Sequence, residues 1–441
     1  MDHTFKDDAM KAYILESGRR IAPFDETAGA LRIHNRPLRR QQEEELRALG
    51  CAVETIDDVR AIDSFPCLLV RDDLFFTHHA LMGFVRTVRK RLRQQTTQQN
   101  DRAGRGSGNF RAALSRSILT EQFSPTFQGR ETTGRDGEAC RAYDLYYLQG
   151  FEPDASLEDQ AELAPIPHRV SVRRSRVNRY FDPSGSVSLP MSLVAFCPIQ
   201  HWASLVSANL LGLSGLLVRT AQTRLASTMM LPLVCTWRAG SVRPISLRGK
   251  FYWAGRGCKV HPSAHVEWCV LGDHVRIGPG AFVRGAVLAN RVEVGPNAIV
   301  EGTSVGEKAT VNGGVTLRSC VVGEEANIGA YFTQLSVIGR GAALCPSSGT
   351  YDFNLRGNVP VSFQGRMVNS GSRMLGSCLG HGAFLGAEVT LASGQELPNG
   401  CILVRSPREI VGDVSEGLPA GVLRLDRGRR QTRRDGPRMA Q

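Results

Sequence analysis

Few residues in this chain combine a type and a setting that could do chemistry. Ten histidines occur in 441 residues, and four of them, His261, His265, His274 and His381, lie in the glycine-rich second half. An imidazole titrates near pH 6.5 and suits general-base work. Only His381, in LGHGAFLG, follows closely on the irregular polar segment 350–374, where a base could meet a substrate. It also fits an ordinary turn position, and His261, before Pro262, reads as structural. In the first half, Asp73 closes the run FPCLLVRDD. A carboxylate at a strand's carboxyl end can hold Mg²⁺ for phosphoryl chemistry; it can equally cap the next helix. The eleven cysteines contain no CxxC pair, which argues against a zinc site or a disulfide framework and for a reducing, cytoplasmic setting.

The elements that would position these groups are legible in the second half. Val260, Ile277, Val294, Val311 and Ile328 recur every 17 residues. Val266, Val283, Val300 and Leu317 form a second register, and Leu271, Leu288, Val305 and Val322 a third. A fixed period of this kind is a repeat signature that outranks local propensity. It predicts a coil of three short strands per turn, with aliphatic residues to the axis and successive turns stacked as parallel strands about 4.8 Å apart. The period breaks after Leu344, 350–374 reads as a loop ejected from the coil, and sixes resume at Leu379, Leu385, Leu391, Leu397 and Leu403. Ejected loops of a solenoid are where functional residues tend to lie.

In the first half, Lys11–Leu15 reads as a strand, followed by a loop carrying Gly18, Arg19, Arg20 and Pro23. Arg36–Leu49 reads as a helix, Cys51–Ile56 and Phe65–Val70 as strands and His78–Arg93 as a helix. This alternation predicts a parallel α/β sheet with ligands at the strands' carboxyl ends. The stretch 94–116 reads as a loop, and Pro153–Pro167 as an acidic linker. The division expected is an α/β domain over 1–225, a linker over 226–249, the coil over 250–412 and a basic, disordered tail over 413–441.

The net charge is +12, with seven arginines in 424–438. Such a tail can touch nucleic acid or anionic membrane, yet no aromatic and basic interleaving points to specific nucleic-acid reading. The polar, acidic start argues against a signal peptide. Ala203–Val218 is short for a bilayer span and reads as a buried helix, so no transmembrane segment is expected.

A sheet domain followed by such a coil resembles the bifunctional N-acetylglucosamine-1-phosphate uridyltransferase/glucosamine-1-phosphate acetyltransferase enzymes. The resemblance covers most of 11–410. It implies a nucleotidyltransferase-like (Rossmann-like) α/β domain followed by an all-β left-handed parallel β-helix, with the hand taken from the family. It also implies a homotrimer, acyl-CoA as donor, a sugar phosphate or nucleotide sugar as substrate, and Mg²⁺ in the first domain.

Carried over by residue, LESGRRIAPFDETAGALRIHNRPL resembles the family's phosphate loop, where glycine lets backbone N–H groups wrap phosphates and basic side chains offset their charge. Gly18, Arg19 and Arg20 are the substrate-binding candidates there, and Asp73 takes the metal-binding position. The loop lacks the family's second glycine, threonine and Pro-Lys. In the coil, FTQLSVIG and SGTYDF resemble the stretches holding the family's histidine base and its Asn-Tyr-Asp. The base position reads Gln334, which takes no proton at neutral pH. Tyr351 and Asp352 remain, Arg318 falls where the family binds nucleotide phosphate, and His381 is the replacement base to consider. The resemblance thus implies acyl transfer in the coil with weakened or lost nucleotidyl transfer. The alternative is a non-catalytic trimeric scaffold that at most binds a nucleotide sugar.

Overall fold

The structure, a computed structural model, describes residues 10–98, 108–115, 130–133, 139–167, 170–176, 179, 185–406, 424–426 and 429–431. Its first unit is built on Lys11–Leu15 (β1), whose Ala12, Tyr13 and Ile14 are fully buried. An apolar run of this kind must be covered on both faces. β1 pairs in parallel with Ala52–Ile56 (β2) and Cys67–Arg71 (β3). Helix Leu38–Ala48 (α1) makes the crossover to β2, and Gln42 fixes it to the end of β3. The Gln42 Nε2 donates to the carbonyls of Arg71 and Leu74, each at 2.8 Å.

Phe110–Ser115 (β4), Ala139–Leu148 (β5) and Glu162–Pro165 (β6) extend the sheet in the order β6-β4-β5-β3-β1-β2, with Arg130–Thr133 beside β5. β5 runs antiparallel to both β3 and β4. The sheet is therefore mixed, where an all-parallel one was expected. The loop expected over 94–116 contains β4, and helix His78–Gln98 (α1's successor, α2) runs into its start. The acidic linker expected over Pro153–Pro167 contains edge strand β6. The nucleotidyltransferase-like assignment itself rests on the resemblance.

The second unit is the hexapeptide-repeat coil, a parallel β-helix. Two of its faces are eight-stranded sheets beginning at Tyr252–Trp253 and Lys259–Val260, and the third is a five-stranded sheet beginning at His265–Glu267. Val266, Val283, Val300 and Leu317 pair in register and are fully buried on the axis. One rung is a residue short, so Arg318 pairs with Gln334. The corner after each third-face strand has positive φ, at Trp268, Gly285, Gly302, Ser319 and Leu335. Glycine relieves strain there. At Gly285 and Gly302 it also admits Leu213 and Leu210, each 3.4 Å from where a Cβ would stand.

Those leucines belong to Trp202–Thr223 (α3), which lies in the seam between the units. Trp202, Ala203, Leu205, Val206 and Ala208 join one cluster with Ile33, Leu38 and Phe75 of the sheet domain and Val321, Val337 and Cys378 of the coil. Among the described residues α3 is the one helix long and apolar enough to cross a membrane, and most of that stretch is buried in this seam. The expected linker 226–249 instead holds helices Leu225–Ala239 (α4) and Pro244–Arg248 (α5). The ejected segment 350–374 carries a hairpin, Pro360–Phe363 with Arg366–Asn369. Its Val359 and Val361 are fully buried in the seam cluster, so it packs down rather than standing free. Of the tail expected over 413–441, Arg424–Asp426 pairs with Arg429–Gln431; the rest lies outside the described residues.

Candidate functional site

The third residue of each third-face strand forms a column on one corner of the coil. It runs Glu267, Arg284, Glu301, Arg318 and Gln334 by direct pairing. The pairing stops there: Gly349–Thr350, whose Thr350 is buried, pairs with Thr390–Leu391, and Tyr351 follows it. Arg284 Nη2 lies 2.5 Å from Glu301 Oε1, and Arg318 Nε lies 2.9 Å from Glu301 Oε2. Arg318 is thus held at one end by a carboxylate and remains nearly half exposed. The 17-residue period alone places Glu267, Arg284, Glu301 and Arg318 in one file, with alternating signs.

Asp352 follows Tyr351 at the head of the ejected segment. Burial raises its carboxyl above the ordinary value. The Asp352 carbonyl accepts from Leu375 N at 3.0 Å, and Ser336 Oγ lies 3.2 Å from Thr350 Oγ1, so the segment is pinned to the rung bearing Gln334. Tyr351 is 64% exposed, which leaves its side chain open to solvent. Arg318 and Gln334 are thus paired on adjacent rungs, and Tyr351 and Asp352 follow Thr350 at the head of the ejected segment.

His381 does not join them. It follows Cys378–Leu379 on the first face and precedes Phe384–Leu385 on the second, which is a different corner. Its Nδ1 accepts from Arg340 N at 3.0 Å, its ring packs on Phe24 at 4.9 Å, and its Nε2 lies 3.4 Å from Glu26 Oε1. Burial lowers its pKa. The replacement-base expectation for His381 fails on position: the residue ties the coil to the sheet domain. Glu26, its partner, carried no signal in the sequence.

At the carboxyl end of β3, Arg71-Asp72-Asp73 meets the loop after β1. Asp72 Oδ1 accepts from Ser17 N at 2.9 Å. Asp73 Oδ2 lies 2.8 Å from Arg71 Nη2 and 3.6 Å from Arg19 Nη1. Arg71 continues to Asp144 at 3.1 Å, Asp144 to Arg111 at 2.7 Å and Arg111 to Glu158 at 3.4 Å. Burial, working against Arg71 and Arg19, pushes the Asp73 carboxyl up to about 6. A cation at Asp73 would have to displace two guanidiniums, and no group of three or more metal-ligating side chains exists among the described residues. The residues present do not fit Mg²⁺. Arg20 turns away to Asp25, 3.5 Å off. Gly18 has φ +61 and open space around it.

Two concavities flank this network. One, of about 300 Å³, is lined by Arg71, Asp73, Arg111, Asp144 and Glu158. The other, of about 660 Å³, lies over Gly18, Arg39, Arg40 and Arg47. Each arginine of the larger one is spent on a carboxylate: Arg39 on Glu16 at 3.1 Å, Arg40 on Glu44 at 3.0 Å and Arg47 on Glu43 at 3.1 Å. Sequence reasoning missed Asp144 and Arg111, since a buried arginine in β4 shows no local mark.

No family model and no curated protein matches the chain. Solved structures resemble part of it. A hexapeptide transferase family protein from Anaplasma phagocytophilum is 18% identical, over 37% of this chain and 80% of that one, with a TM-score of 0.21. A Bacillus cereus protein described as an acetyltransferase is 14% identical, over 37% of this chain and 84% of that one, with a TM-score of 0.17. The coil is assigned from its own strand pairing.

Proposed function

We propose that the coil is an acyltransferase, moving an acyl group from acyl-CoA to an amino or hydroxyl group of a sugar phosphate or nucleotide sugar. The observation that carries this reading is the pairing of Arg318 with Gln334 on adjacent rungs, with the exposed Tyr351 and the half-buried Asp352 at the head of the ejected segment. In the step, the sugar nucleophile attacks the thioester carbonyl. A C–N or C–O bond forms and the C–S bond breaks. The nucleophile's proton passes to the Asp352 carboxylate and then to the departing thiolate. A carboxylate made more basic by burial suits this work. Arg318 meets phosphate, with Glu301 fixing its orientation. The Gln334 amide and the Tyr351 ring and hydroxyl position the sugar. The reading includes a homotrimer in which a neighbouring copy closes the exposed corner. It also includes a sheet domain that has lost nucleotidyl transfer, because its strand-end carboxylates are already paired with arginine. The cytoplasmic setting belongs to the same reading; no disulfide joins the cysteines among the described residues.

A second reading, a non-catalytic scaffold that binds a nucleotide sugar, is favoured by one observation: the histidine available after the ejected segment is committed to Glu26. Thermal melts with acetyl-CoA, longer acyl-CoAs and UDP-N-acetylglucosamine test the pair. A ligand at a hundred times its Kd stabilises the native state by about 2.7 kcal/mol. A rise in Tm with an acyl-CoA, abolished by Tyr351→Ala, is expected. A rise with the nucleotide sugar alone favours the scaffold, and a flat response to all three removes both.

A further inference from the structure

Helix α4 is anchored on one side and bare on the other. Leu231 and Cys235 are buried against Trp253, with Leu217, Leu247 and Phe251 around them. Trp253 Nε1 donates to Thr228 Oγ1 at 3.0 Å. Arg238 donates to the Tyr252 carbonyl at 2.9 Å and lies 3.8 Å over the Tyr252 ring. These contacts fix the helix to the first rung of the coil. On the opposite side stand Leu225, Met229, Met230, Leu233 and Trp237, exposed by 59, 74, 52, 63 and 82%. At 3.6 residues per turn they span an arc of about 140°. Val242, 79% exposed, follows the helix end.

The charge on α4 and on the turns that flank it has one sign. From Pro183 to Val266 the sequence contains no aspartate or glutamate. Arg224 and Arg243, at the two ends of α4, and Arg248 beyond them are exposed. Arg248 pairs with Glu267, while Arg224 and Arg243 show no ion pair among the described residues. Aliphatic, methionine and tryptophan side chains flanked by arginine form a surface that seats apolar groups among acyl chains and cations among anionic headgroups.

We propose that the exposed face of α4 docks the protein on an anionic lipid bilayer. Leu225, Met229, Leu233 and Trp237 enter the headgroup boundary, and Arg224 and Arg243 meet lipid phosphates. The helix lies in the plane of the membrane and does not span it. Its buried side keeps the coil against the surface, so the docking acts on the whole molecule.

Co-sedimentation of the full chain with phosphatidylcholine vesicles, with and without phosphatidylglycerol, tests this. Wild-type protein is expected to pellet with the anionic vesicles and not with the neutral ones. The double variant Leu233→Ser/Trp237→Ser and the double variant Arg224→Gln/Arg243→Gln are each expected to lose about tenfold or more in binding. Both alter exposed side chains, and an unchanged Tm verifies folding. The blue shift of tryptophan emission on vesicle addition should diminish in Trp237→Phe. No pelleting with anionic vesicles overturns the proposal. So does pelleting that neither double variant weakens, which would assign it to another basic segment. A wild-type oligomer that Leu233→Ser/Trp237→Ser dissolves, without vesicle binding, overturns it in favour of a second copy of the chain.

Discussion

His381 Nε2 lies 3.4 Å from Glu26 Oε1, joining the coil to the loop that follows the first strand of the sheet domain. Arg340 shares the same carboxylate. The pair makes His381 a seam residue rather than a base. His381→Asn should therefore cost about 1 kcal/mol of stability, typical of a half-buried polar contact. It should leave kcat within about twofold, whereas a lost general base costs 10²-fold or more. Chemical denaturation and a turnover assay on the same preparation separate the two. A collapse of kcat with stability intact would return His381 to the chemistry.

The seam has a second, deeper histidine with a pH signature. His34 is buried and its Nε2 donates to the Asn209 carbonyl at 2.8 Å. Burial pulls its pKa down to about 4 from 6.5. Above pH 6.5 folded and unfolded chains both hold it neutral, and its contribution is fully present. As the pH falls from 6.5 towards 4 the unfolded chain takes up a proton that the folded one refuses, so stability drops. The limit is about 3 kcal/mol, at 1.36 kcal/mol per pKa unit. Denaturation midpoints measured across this window should fall for wild type and flatten in His34→Gln. A wild-type profile without that slope would contradict the buried, neutral assignment.

Much of the coil was legible because its information repeats. Val260 to Ile328 and Val266 to Leu317 mark the faces and the axis, and Arg318 and Gln334 stand together at one corner of the coil. Strands β1 and β3 were legible as unbroken apolar runs. What failed depended on distant partners. β4 looked like loop because Arg111 is buried against partners far along the chain, Asp144 and Glu158. The ejected segment looked solvated because its Val359 and Val361 are covered by a helix 150 residues earlier in the chain, a relation no local pattern records. His381 occupies the turn position that its hexad allowed, and the sequence does not show which corner of the coil that turn faces.

The ion ladder on the coil corner should be modest in stability and larger in binding. Glu301→Gln leaves Arg284 and Arg318 beside each other without their carboxylate. For partly exposed pairs the cost is about 1 kcal/mol, and it should shrink as salt screens the charges. In the acyltransferase reading Arg318→Ala raises KM for the phosphorylated sugar and leaves kcat near wild type, since it meets the substrate away from the reacting bond. Steady-state kinetics decide it: an unchanged KM would reduce Arg318 to a rung of the ladder.

The strand-end network of the sheet domain predicts indifference to Mg²⁺. Millimolar Mg²⁺ should not move Tm, because Arg71 and Arg19 already neutralise Asp73. Asp73→Asn should cost only about 1 kcal/mol, because Arg71 keeps Asp144 and both arginines are partly exposed. A Mg²⁺-dependent rise in Tm that Asp73→Asn abolishes would contradict the pairing as the resting arrangement.

The most direct measurement is thiol release from acetyl-CoA in the presence of an amino-sugar phosphate, by wild type, Asp352→Asn and Tyr351→Phe, as a function of pH. The account predicts turnover whose acid limb lies above the ordinary aspartate value, since burial raises the Asp352 carboxyl. It predicts a loss of about 10²-fold or more in kcat for Asp352→Asn and a smaller loss for Tyr351→Phe. Turnover that Asp352→Asn leaves intact, or no turnover by wild type with any acyl-CoA, would contradict it.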